Sequence, residues 1–133
     1  MKVAIVYAST TGNTEQLAKA ARDAAGADAY FSAADSADSV EVLGADLILL
    51  GSPAMGAEQL EDSMEEFFSS IEGQLSGKTV GLFGSYDWGD GQFLEDWKER
   101  VVSAGADLAG TVKAQLAPDA AALEAVRALV KIA

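Results

Sequence analysis

The sequence predicts an α/β fold: a doubly wound, five-stranded parallel sheet in the order 2-1-3-4-5, with helices on both faces. Three observations lead there. Strand-like apolar runs alternate with helical periodicities along the whole chain. Two of the runs, Val3 to Tyr7 and Leu47 to Leu50, are continuously apolar, as strands buried on both faces of a parallel sheet are. Between the first run and the first helix lies the hydroxyl-rich turn Ala8-Ser9-Thr10-Thr11-Gly12-Asn13-Thr14, the short connection that a crossover unit requires.

Taken in order, Val3 to Tyr7 is the first strand. Thr14 to Ala25 is the first helix, with Leu17, Ala18, Ala21 and Arg22 at helical spacing and Gly26 at its end. Ala27 to Phe31 reads as a short, weaker second strand at an edge, and Ser36 to Val42 as a helical turn. Asp46 to Gly51 is the third strand, followed by a loop from Ser52 to Ala57. Glu58 to Ile71 reads as a helix because Leu60, Met64, Phe67 and Ile71 share a face. Thr79 to Ser85 is the fourth strand, Tyr86 to Gly91 a loop, and Phe93 to Ala104 a helix with Phe93, Leu94, Trp97 and Val101 inward. Ala106 to Leu116 is the fifth strand, and Pro118-Asp119 opens a last helix, Ala120 to Lys131. The 133 residues, half of them apolar, suffice for one domain, 1–133, with its own core.

Composition removes several kinds of chemistry. The chain has no Cys and no His, hence no disulfide, thiolate nucleophile, imidazole base or usual zinc ligand. A net charge of −12 argues against nucleic acid as a partner, since phosphate contacts need Lys and Arg. No apolar run approaches a membrane span, and the N-terminus lacks signal-peptide architecture, so a cytoplasmic location is expected. The acidity is uneven. Asp23 to Gly77 holds twelve carboxylates and no Lys or Arg, so one side should carry a strong negative field that steers basic partners or, more simply, aids solubility.

A strand that breaks into a hydroxyl-rich turn and opens a helix makes an anion site. The first N–H groups of the helix have no intrahelical acceptor and the dipole end is positive. Ser9, Thr10, Thr11 and Thr14 add hydroxyl donors, and Gly12 lets the backbone approach a ligand. With no cation between Lys2 and Lys19, neutral donors would hold a phosphate monoester. Neither the Walker pattern nor G-x-G-x-x-G is present. The simpler reading is a helix cap made by Ser and Thr. In the predicted sheet the loops after strands one, three and four lie side by side. The second carries Met55 and Gly56, the third Tyr86 and Trp88. A Met and a Trp facing each other above an anion site suit a flat aromatic ligand, here a flavin mononucleotide.

Three separated motifs carry a resemblance to the flavodoxins, in particular the short-chain type of anaerobic bacteria. They are Ser9-Thr10-Thr11-Gly12-Asn13-Thr14; Gly51-Ser52-Pro53-Ala54-Met55-Gly56 with Glu58 and Leu60-Glu61; and Gly81-Leu82-Phe83-Gly84-Ser85-Tyr86 with Trp88-Gly89. No insertion splits the fifth strand. The resemblance implies a flavodoxin-like fold and an FMN site built from Ser9 to Thr14, Ser52, Pro53, Ala54, Met55, Gly56, Ala57, Glu58, Ser85, Tyr86, Asp87, Trp88 and Gly89. Ser9 to Thr14 would hold the phosphate. Met55 and Trp88 would lie against the two flavin faces. The Gly56 carbonyl would accept from flavin N(5) once that atom is protonated, and Glu58 would contact the pyrimidine edge. Asp87 stands where relatives commonly have Gly, and Ser52 where they often have Cys. Ala57 follows Gly56 where relatives vary, and Ala27 to Ser36 is unusually Ala-rich.

The resemblance further implies a low-potential one-electron carrier, with no catalytic residue, no metal and no substrate of its own. Partners would be basic-faced redox proteins, ferredoxin-type reductases and low-potential oxidoreductases, met transiently by a monomer. The alternative is a small flavodoxin-like NAD(P)H:quinone reductase, for which this length leaves little room over the ring. A response-regulator receiver needs paired acids after the first strand and an Asp after the third. Those places hold Ala8-Ser9 and Ser52-Pro53.

Overall fold

The structure is a computed structural model in which residues 2–9, 12–55, 59–86 and 91–131 are described. Five parallel strands form the sheet: β1 (Val3–Tyr7), β2 (Tyr30–Ala33), β3 (Leu47–Met55), β5 (Thr79–Tyr86) and β6 (Asp107–Gln115). Their order is β2-β1-β3-β5-β6, and a two-residue strand β4 (Gln59–Leu60) pairs antiparallel with the end of β3. The expected order therefore holds once β4 is counted. The helices are α1 (Asn13–Ala25), α2 (Ser39–Leu43), α3 (Asp62–Ile71), α4 (Gln92–Ser103) and α5 (Ala120–Val130).

Alternation along the strands divides the apolar residues between two cores. Ala4, Val6, Ile48, Leu50, Val80 and Leu82 face α3 and α4, where Phe68 and Trp97 meet edge to face at 5.8 Å. Val3, Ile5, Leu47, Leu49 and Phe83 face α1 and α5. The ring of Phe83 lies flat against Gly51 of the neighbouring strand: a Cβ at that position would sit 2.0 Å from Phe83 Cε2.

Several boundaries differ from those expected, each for a physical reason. The second strand begins at Tyr30 rather than Ala27, because Gly26 donates to the Arg22 carbonyl and Ala29 to the Gly26 carbonyl, so a turn occupies the first residues. Arg22 then lies over Phe31 at 4.4 Å, and Phe31 meets Tyr7 at 5.1 Å with the rings tilted by 35°, which covers part of this edge strand. In place of one helical turn over Ser36 to Val42 there are two: a 3₁₀ turn, Ala34–Ser36, and α2, capped by Asp38. The third strand runs four residues past Gly51. Its register with β5 continues to Pro53↔Ser85, so Ser52 to Met55 are strand and not loop. The following helix starts at Asp62 and not at Glu58. Glu61 is extended (φ −63°, ψ 144°), and its carboxylate accepts the Ser63 N–H at 3.1 Å. Among the described residues no helix is long and apolar enough to cross a membrane.

Candidate functional site

Parallel register brings the carboxyl ends of three strands together. Tyr7, Gly51 and Phe83 lie side by side, and one step further the Ala8 N–H donates to the Gly51 carbonyl at 2.9 Å. Above this level lie Ser9 from β1, Ser52 to Met55 from β3, and Ser85 and Tyr86 from β5. The described parts of all three sequence-predicted segments thus meet at one end of the sheet.

The first segment serves the N-terminus of α1. Gly12 takes a left-handed conformation, φ 92°, that side chains disfavour, and its carbonyl accepts the first helical bond from Gln16 at 3.1 Å. The Ser9 Oγ accepts the N–H of Gly12 at 3.1 Å and of Glu15 at 3.4 Å. This is the cap geometry, and it uses the amide groups that an anion would use. An oxygen acceptor is thus already drawn to the positive end of α1, and among the described residues no cation is a hydrogen-bond partner of it. That donor set fits a phosphate monoester. Asn13 opens α1, half-buried. Thr14 is buried, and its Oγ1 lies 2.7 Å from Ser85 Oγ, a bond between residues 71 apart. It ties the first turn of α1 to the end of β5. A cleft of about 350 Å³ runs beside Ser9, with Tyr7 and Ala8 on its floor and Glu15, Asp35 and Glu61 around it.

The second segment is a hairpin. Ala54 pairs with Leu60 and Met55 with Gln59. Ser52 is fully buried; its hydroxyl donates to the Pro53 carbonyl at 2.9 Å and accepts the Glu61 N–H at 3.0 Å. Ala54 is half-buried, and Met55, 38 % exposed, ends β3 as an apolar side chain open to solvent. In the third segment Ser85 is buried and Tyr86 half-buried, its carbonyl accepting the Leu116 N–H at 2.7 Å. Thr10, Thr11, Gly56, Ala57, Glu58, Asp87, Trp88 and Gly89 lie outside the described residues, and so does the outer half of the Met–Trp pair.

The structure adds residues that the motifs did not single out. Lys113 Nζ stands 5.9 Å from the Tyr86 ring centre, placed there by the register of β6 with β5, which pairs Lys113 with Gly84. A basic residue near the carboxyl end of the last predicted strand was the available signal. Leu116, 55 % exposed, has φ 59°, a left-handed backbone that a leucine rarely adopts. Arg100 enters the acidic run from α4: its guanidinium donates to both Glu65 oxygens at 2.7 and 2.9 Å and to Glu72 at 3.0 and 3.2 Å, over the Phe68 ring at 4.8 Å. These bonds from Arg100 hold the Glu65 carboxyl below the ordinary carboxylate range and push the guanidinium further up. Among the described residues no group of His, Cys, Asp or Glu could hold a metal ion.

The chain matches the family model described as Flavodoxin over residues 5–128. It is 48 % identical over 121 residues to the flavodoxin of Megasphaera elsdenii, covering 88 % of each chain, and 42 % identical over 105 residues to that of Clostridium beijerinckii, covering 76 % of each. Its structure resembles the solution structure of two-electron-reduced Megasphaera elsdenii flavodoxin, with a TM-score of 0.89 at 43 % identity over 98 % of this chain and 99 % of that one.

Proposed function

The chain belongs to the flavodoxin family and is an FMN-binding electron carrier, and from that premise we propose that the three loops at the carboxyl ends of β1, β3 and β5 are its FMN site. Flavodoxins pass electrons to partner oxidoreductases and turn over no substrate of their own. A quinone reductase is not favoured by these relatives.

The observation that carries the site assignment is the convergence of the Gly12 and Glu15 N–H groups on one oxygen, Ser9 Oγ. Ser9, Thr10, Thr11, Gly12, Asn13 and Thr14 hold the phosphate with neutral donors. In this reading Ser85 supports Thr14 from β5. Ser52, Pro53 and Ala54 carry Met55 to one face of the ring, and Tyr86, Asp87 and Gly89 carry Trp88 to the other. The Gly56 carbonyl would accept from N(5) once that atom is protonated, and Glu58 would contact the pyrimidine edge. Bound FMN supplies the one-electron chemistry; the chain binds it, orients it and excludes water. Residues 1–133 act as one domain and one monomer, and basic-faced reductases and low-potential oxidoreductases dock transiently against the acidic helix α3.

Cofactor released by heat should run as FMN in chromatography, and FAD in its place would overturn the reading. Ser9→Ala removes the acceptor that organises the loop and a phosphate donor together. FMN titration of the apoprotein should show affinity weaker by roughly tenfold, the factor for one hydrogen bond to a charged group. The far-UV spectrum should be unchanged.

A further inference from the structure

The chain has three methionines and no cysteine, so its only sulfur is thioether. Met64 is fully buried on α3, and Met1 lies outside the described residues. Met55 is 38 % exposed and belongs to neither core. The limit of burial falls inside the two-residue ladder that ends β3. Its inner pair, Ala54 with Leu60, is half-buried and buried; its outer pair, Met55 with Gln59, is exposed on both members. A polarizable sulfur thus meets solvent at the carboxyl end of the sheet, where peroxides can reach it, while the other described sulfur is sealed in the core.

We propose that Met55 is a site of reversible oxidation by peroxides, and that the chain carrying its sulfoxide holds FMN weakly. The sulfur gives an electron pair to one peroxide oxygen; an S–O bond forms and the O–O bond breaks. The departing hydroxide takes the proton of the transferred oxygen and leaves as water. Sulfur is oxidised by two electrons and the peroxide is reduced by two. A flexible apolar side chain becomes a polar one, and sulfoxide reductases reverse the change. The loss of affinity rests on the reading above that Met55 lies against one face of the ring. A sulfoxide oxygen there must shed its water against a surface that offers it no donor. No residue of either core is altered, so the fold stays as it is.

Hydrogen peroxide added to the full chain, with and without FMN and followed by peptide mass spectrometry, tests the first half. Without FMN, Met55 should gain one oxygen at least roughly tenfold faster than Met64, which must wait for the core to open. Bound FMN should slow the reaction at Met55. FMN titration of the oxidised chain should then show affinity weaker by roughly tenfold, the cost of one buried polar group without a partner. The far-UV spectrum should be unchanged, and a sulfoxide reductase should restore the affinity. Met55→Leu, apolar and free of sulfur, should show the same affinity before and after peroxide. Met55→Gln should bind FMN weakly with no peroxide added. Met55 oxidised no faster than Met64, or affinity lost to the same extent in Met55→Leu, overturns the proposal; weak binding by Met55→Gln then leaves the FMN site standing. Equal affinity in the parent, the sulfoxide and Met55→Gln overturns the proposal together with the placement of Met55 against the ring.

Discussion

At the scale of single residues, the site is a set of close fits. Gly51 shows the tightest. Gly51→Ala must push the Phe83 ring out of a core that has no space for it, so denaturant unfolding should show a loss of about 1–3 kcal/mol, the usual cost of overpacking, at unchanged m-value. A cap by the hydroxyls of Ser9 to Thr14 was legible in the sequence as the simpler reading, but that Ser9 in particular accepts the Gly12 and Glu15 N–H groups was not. Nor was the bond between Thr14 and Ser85. It depends on how far β5 is shifted against β1 across β3, and local pattern carries no such information. Ser52 was legible as part of a motif but not as a bridge. A serine beside a proline after an apolar run reads as a turn, and only the continued register with β5 makes it strand.

At the scale of elements, α3 and α4 follow the loops that flank the site, and Arg100 clamps them to each other. The clamp depends on pH in a direction that can be worked out. Glu65 titrates lower in the folded chain than in the unfolded one, so its contribution is complete above the ordinary carboxylate range and is lost as pH falls through the lowered value. Thermal melts from neutral pH downward should therefore show a shallower acid-side decline in Glu65→Gln than in the parent. The two should converge at the most acidic end. Both partners are partly open to solvent, so high salt should shrink the difference. The helical face of α3 was legible, but its start was not. Leu60 completes the apolar stripe of Met64, Phe67 and Ile71 and is buried equally well from a strand, so periodicity alone could not separate the two. The second strand was found two to three residues early because alanine-rich sequence has no side-chain bulk to mark where the turn ends.

At the scale of the whole molecule, the acidity is less uniform than the run from Asp23 to Gly77 suggests. Arg100 answers Glu65 and Glu72, and Lys2 answers Glu41 at 2.9 Å, which leaves Glu61, Asp62 and Glu66 without an ion pair among the described residues at the start of α3, Glu61 being half-buried and bonded to Ser63. Stopped-flow association with a ferredoxin-type reductase should slow steeply as salt rises. Neutralising those three as amides should cost roughly tenfold at low salt, more than Glu65→Gln does. A rate indifferent to ionic strength would assign the charge to solubility. The parallel sheet, its order and the helices on both sides were legible because continuous apolar runs and helical stripes are properties of one segment each; the neutralisation was not, because it joins segments far apart.

The two cores lie on either side of the sheet and are closed by helices, and Met55 belongs to neither. The packing of the two cores therefore draws nothing from the residue that faces the flavin in the proposed site. Loss of FMN subtracts only the mass-action contribution, about 2.7 kcal/mol at a free concentration a hundred times the dissociation constant, and leaves the cooperative unit intact. An emptied chain should then act as a reusable vessel: added FMN, or a flavin analogue of different potential, should restore the bound-flavin spectrum while the far-UV spectrum stays unchanged throughout.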